Sequence, residues 1–185
     1  MHLKRNHHNI LFLLLGILFQ ATSFAQGVFN NPLNKPLQTV IEDYPNLFNN
    51  ITGAEISRQE KTLQFESKVN IAGVPPAVIV KYLSPGATSI SWQTALYETE
   101  DFHEAEKKFR EYFNNIKNTI IRIKGMPPGI LSAKYETPEE GRKFTSVSFK
   151  IIPGGSALDH LHIELNLQNQ IIGWSISLQV YDDAD

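Results

Sequence analysis

The sequence predicts an α+β domain: an antiparallel sheet of about six to eight strands with two helices packed on one face, and with room for a duplicated α-βββ unit. Three observations carry this expectation. Residues 101–117 repeat Phe102, Ala105, Phe109, Tyr112, Phe113 and Ile116 at helical spacing. Four stretches, 61–71, 144–152, 158–168 and 171–181, alternate apolar and polar side chains, as half-buried strands do. The connections between strands are short and rich in Gly, Pro and Asn, which suits antiparallel neighbours. Two sheets packed face to face would bury the strands equally well but would leave the stripe of Phe102, Phe109 and Phe113 without a partner.

The elements follow in chain order. Lys4 and Arg5 precede an unbroken apolar run, Ile10 to Phe19, and Ser23 and Ala25 close it in a small-x-small pattern. Residues 1–25 therefore read as a secretory signal peptide cut after Ala25, the alternative being an uncleaved anchor. The run is shorter than the about 20 residues a bilayer span needs. Residues 26–35, rich in Asn, Pro and Gly, read as a flexible lead-in to a single domain over 36–185. Pro36 suits a first helical turn, and Leu37, Val40, Ile41 and Tyr44 continue at helical spacing. Pro45 predicts a kink, with Leu47, Phe48 and Ile51 adding one more turn before a stop at Gly53. Strands follow at 61–71, 77–83 and 89–98, then the helix over 101–117, capped by Asp101 with Glu104 in the position of a capping box. Further strands are predicted over 130–137, 144–152, 158–168 and 171–181, the last two joined by a tight turn at Asn169-Gln170.

The tetrapeptide FNNI occurs twice, at 48–51 and 113–116, each time with an aromatic residue four positions before the Phe, Tyr44 and Phe109. Each half also ends in Ile-small-Trp, at Ile90-Ser91-Trp92 and Ile172-Gly173-Trp174. These echoes predict a helix end used once in each of two halves, 36–98 and 101–182. The alternative is two unrelated helices that both end in asparagine, which suits helix C-termini. A Gly-apolar-Pro-Pro turn recurs at Gly73 and Gly125, but at a different spacing. On either reading Asn49, Asn50, Asn114 and Asn115 are structural.

Composition excludes several chemistries. Cysteine is absent, which removes disulfides, thiolate metal sites, Cys nucleophiles and a lipidated cysteine. Without Lys4 and Arg5, 15 basic residues stand against 19 acidic ones, a net charge of −4. No basic block exists of the kind that neutralises nucleic-acid phosphates. Gly-x-Ser-x-Gly and GxxxxGK[ST] are both missing, and Gly154-Gly155-Ser156 reads as a hairpin turn. The acid pairs Glu139-Glu140 and Asp182-Asp183 lie in a turn and near the chain end, where nothing marks them as catalytic carboxylates.

One constellation could hold a divalent metal. In Asp159-His160-Leu161-His162-Ile163-Glu164, strand alternation puts His160, His162 and Glu164 on one face, and two imidazoles with a carboxylate suit Zn²⁺. The competing explanation is that Leu161, Ile163, Leu165 and Leu167 fill the core face and the opposite face is simply polar. No other cofactor is expected. The leading expectation for function is an exported, periplasmic or secreted, non-catalytic envelope module. It would bind a protein partner or small ligand through its sheet, or through a groove between sheet and helices, with Tyr97, Tyr135 and Tyr181 as contact residues. A metal-binding protein or metal-dependent enzyme, and an assembly component of an envelope complex, are the alternatives.

Overall fold

A computed structural model describes residues 31–84 and 87–182, with backbone only at 87 and 88. The signal peptide expected over 1–25 lies outside these residues. Among them the chain forms one antiparallel sheet of nine strands and two α-helices, an α+β architecture. The helices are α1 (Asn34–Asp43) and α2 (Phe102–Ile116). The strands are β1 (Thr52–Arg58), β2 (Thr62–Ser67), β3 (Val78–Ser84), β4 (Ala87–Thr99), β5 (Ile120–Ile121), β6 (Gly129–Ser132), β7 (Phe144–Ile152), β8 (Leu161–Asn169) and β9 (Trp174–Asp182). Their order is β1-β2-β3-β4-β9-β8-β7-β6-β5, so β4 and β9 meet in the middle of the sheet.

Register divides the sheet into two chemically different faces, because directly paired residues share a face. One row runs Phe65, Ile79, Trp92, Val180, Ile163 and Phe149 across six strands. All but Phe65 are buried. The opposite face carries the row Gln64, Val80, Ser91, Tyr181 and His162, and beside it Val78, Gln93, Gln179, Glu164 and Ser148.

The apolar stripe of α2 meets the apolar row. The Phe102 ring packs 4.9 Å from that of Trp174, and the Phe113 ring 5.7 Å from that of Phe149. The Tyr112 hydroxyl donates to the Leu96 carbonyl at 2.9 Å. Asp101 caps the helix as expected, its carboxylate accepting the backbone N–H groups of His103 and Glu104. Glu104 does not complete a capping box; it accepts the Tyr97 and Thr99 hydroxyls instead. Trp92 and Trp174 are both buried, and the Trp92 indole donates to Ser67 Oγ at 3.0 Å.

Several expectations are corrected. The first helix starts at Asn34 rather than Pro36 and ends at Asp43 rather than near 51. The lead-in over 26–35 accordingly reaches into the fold: Leu33 is buried and Asn31 donates to the Asn115 carbonyl. Pro45 diverts the chain into a 3-10 turn over Tyr44–Asn46, after which Leu47 and Phe48 take left-handed φ of 51° and 54°. The first FNNI is therefore a turn leading into β1, while the second is the last turn of α2. Both copies bury their Phe and Ile. Nine strands replace the expected six to eight. β1 has no alternating burial to announce it, and β5 is only two residues long. The strand expected over 61–71 stops at Ser67, whose hydroxyl accepts the Val69 N–H. Ile172, expected on the core face of the last strand, is 78% exposed at the tip of the β8–β9 hairpin, beside a fully exposed Ile171. There the Gln170 N–H donates to the Gly173 carbonyl at 2.8 Å and closes the turn.

Candidate functional site

The polar face has relief as well as chemistry. Over β3, β4 and β9 a hollow of about 240 Å³ is floored by Ser91, Gln93 and Gln179 and flanked by Tyr82 and Tyr181. These five belong to alternate positions of their strands, which is why all point to one face. The Gln93 amide donates to Ser91 Oγ at 2.7 Å and reaches the Tyr82 hydroxyl at 3.4 Å. Ser91 is buried, whereas Tyr82 remains 43% exposed.

Tyr181 is held by a neighbour. Its ring stacks on that of His162, with centroids 4.9 Å apart and planes inclined by 13°. The pairing follows from register, since His162 lies directly opposite Tyr181 in the β8–β9 ladder. His162 also borders a second hollow of about 310 Å³. That hollow opens because the β7–β8 ladder ends at Phe149 and Ile163, while β7 continues alongside β6. Lys150, Asp159 and Ser148 contribute its polar groups. The stacked pair thus borders both hollows.

The electrostatics of the first hollow are close to neutral. Among the described residues no lysine or arginine lines it, and the one acid that does is Asp182. The Asp182 carboxylate accepts the Tyr44 hydroxyl at 2.6 Å. Burial, then the hydrogen bond to Asp182 and its negative charge, push the Tyr44 phenol well above the usual tyrosine range.

The proposed metal ligands are not brought together. His162 and Glu164 share the polar face of β8, but His160 sits in the exposed turn before the strand, where alternation does not reach. Among the described residues no group of three or more His, Cys, Asp and Glu is disposed to hold a metal ion. His103 lies at the opposite chain region, on α2.

Of the three tyrosines expected as contact residues, only Tyr181 lies on the polar face. Tyr97 turns toward α2, bonded to Glu104 and under the Lys108 ammonium. Tyr135 packs between Phe109, Phe113 and the Arg110 guanidinium. Tyr82, Gln93 and Gln179 went unnoticed in the sequence. Each is an ordinary polar position within its own strand, and only the register of three strands shows them to be neighbours. No family model matches the chain, nor does any curated protein or solved structure.

Proposed function

We propose that this protein is a non-catalytic binding module, acting after export, that takes a small ligand or partner segment on the polar face of its sheet. The observation that carries this reading is the hollow over β3, β4 and β9. Ligand sites are concave, with a few placed polar groups among aromatic walls. Here amides and hydroxyls form the floor and two tyrosines the flanks. The reading takes both helices to cover the apolar face, which leaves the polar face free for recognition. The contacts of Phe102 and Phe113 with Trp174 and Phe149 support this for α2. The Tyr44 hydroxyl on Asp182 supports it for the segment that follows α1.

A duplication accords with the mirrored strand order and with the central pairing, but with four strands after the first helix and five after the second rather than three in each. Trp92 lies opposite Val180 and Trp174 opposite Thr99, as a pseudo-twofold axis between β4 and β9 requires once the bulge near Tyr97 is allowed for. Chemical-shift mapping against ligand panels tests the functional reading. Shifts confined to the polar face are expected. Ligand shifts confined to the helix side overturn it.

A role in an envelope assembly is a second reading, favoured by one observation. Ile120, Ile130 and Ile152 lie directly opposite one another across β5, β6 and β7, and are 48%, 46% and 57% exposed. A contiguous exposed apolar row marks a contact surface. Ile130→Asp should then abolish capture of a native partner while leaving the melting temperature unchanged. Undiminished capture by that variant excludes the row.

A further inference from the structure

We infer that the hollow between Tyr82 and Tyr181 takes a neutral saccharide chain, an inference that rests on the polar-face binding reading above. Three observations narrow the ligand class. The first is charge. Among the described residues the lining has no cation to meet an anionic group, and the one acid that borders it, Asp182, alternates with Tyr181 and uses its carboxylate to accept the Tyr44 hydroxyl. Burying a charged ligand group there without a counter-charge is costly.

The second observation is the donor set. Gln179 carries a primary amide with two donors and an acceptor, Gln93 offers its amide oxygen while its nitrogen bridges Ser91 and Tyr82, and Ser91 adds a hydroxyl. Such groups match the vicinal hydroxyls of a sugar, which also donate and accept. Tyr82 and Tyr181 supply amphipathic rings, and the C–H face of a pyranose packs on a ring of that kind. The Tyr181 ring is pre-oriented by its stack on His162, so less ordering is needed on binding.

The third observation separates a saccharide from a peptide. An extended peptide gains its affinity by adding to a free sheet edge, where backbone groups are unpaired. β3, β4 and β9 are interior strands, each paired on both sides. A ligand lying over them meets side chains only, which is how a sugar is recognised. The second hollow, on the far side of the His162–Tyr181 pair, offers further surface next to the first.

The test is titration of the isotope-labelled full chain, followed by amide and side-chain NMR. The probes are neutral gluco-, xylo-, manno-, galacto- and N-acetylglucosamine oligosaccharides. Oligogalacturonate and a mixed decapeptide library are the comparison arms. At least one neutral oligosaccharide is expected to move the Gln93 and Gln179 side-chain amides and Tyr181. Tyr82→Ala should weaken that binding about tenfold with an unchanged melting temperature. Gln179→Ala serves as a second variant with the same expectation. If peptides or oligogalacturonate move the polar face and neutral sugars do not, the saccharide assignment falls while the polar-face reading stands. If no arm moves the polar face, both fall. Binding of a neutral sugar that neither variant weakens overturns the assignment to this hollow.

Discussion

The Asp43 carboxylate holds Asn50 at two points and its neighbour Ile51 at a third. Oδ2 accepts the Asn50 and Ile51 backbone N–H groups at 3.0 and 3.2 Å, and Oδ1 accepts the Asn50 side-chain amide at 2.6 Å. Asn46 adds a fourth donor at 3.0 Å. Asp43 is buried, so these donors replace the water it has lost. The first FNNI is thus a carboxylate-bound turn, whereas the second has no such acid and remains helical. Removing the acceptor from a buried, charge-assisted network of this kind should cost about 2–4 kcal/mol. Asp43→Ala tested by urea unfolding should show that loss. Asn50→Ala should cost about 1 kcal/mol, and Asn114→Ala, exposed on α2, less than about 0.5 kcal/mol. Equal losses for Asn50 and Asn114 would contradict the asymmetry.

The docking of α2 rests on Phe109, which is completely buried and stacks near Tyr135 with centroids 6.2 Å apart. Phe109→Ala should destabilise by about 3–5 kcal/mol, as ring removal from a packed core does. Chemical denaturation measures it. A loss under about 1 kcal/mol, typical of surface positions, would mean that the helix is not seated on the core.

Gly173 has φ of +78°, and a Cβ placed there would come 2.4 Å from the Thr99 carbonyl oxygen. Both the left-handed backbone and the close approach of β4 demand glycine. Gly173→Ala should therefore cost about 1–3 kcal/mol. Ile171→Asn, two positions away and fully exposed, should stay within about 0.5 kcal/mol of the parent. Thermal unfolding of the two variants gives the contrast, and a well-folded Gly173→Ala protein of parental stability would refute the steric argument.

Alkaline pH should weaken the fold in a defined window. Tyr44, Tyr112 and Tyr135 all have phenols raised above their ordinary value, first by burial in each case. A raised folded value means that the unfolded chain ionises first, near pH 10. The stabilising difference is complete below that pH and is lost as pH rises from there through the folded values. Unfolding free energy followed from pH 8 to 11.5 should be flat and then fall. Tyr44→Phe should lose about 1 kcal/mol at pH 8 with its hydrogen bond to Asp182. Its decline above pH 10 should be shallower than that of the parent. An identical slope in the two proteins would show that Tyr44 does not take part.

Much of the fold was legible in the sequence, and the reasons are local. The stripe from Phe102 to Ile116 specifies α2 because helical periodicity and a capping Asp101 agree. β7 keeps its expected bounds because alternation and a terminal Pro153 mark it. Elements without such signals were missed. β1 exposes most of its residues, β5 is two residues long, and the first FNNI is shaped by an acid five residues upstream of its first letter. Of the expected His160, His162 and Glu164 face, only His162 and Glu164 lie within β8. Alternation holds only inside a strand, and β8 begins after His160.

The amino-acid sequence by itself determined the class of the protein, the identity of α2, the apolar faces of the long strands, and the absence of thiol chemistry. These are properties of composition and of periods of two and 3.6 residues, which each segment carries alone. Only the tertiary structure decided which polar side chains meet. Tyr82, Ser91, Gln93, Gln179 and Tyr181 come from three strands separated by up to 99 positions, and register alone makes them the lining of one hollow. Register is set by the burial of the opposite face: slipping any strand by one residue would put Trp92, Ile79 or Val180 into water. The apolar core therefore fixes the arrangement of a polar surface on which no local signal acts.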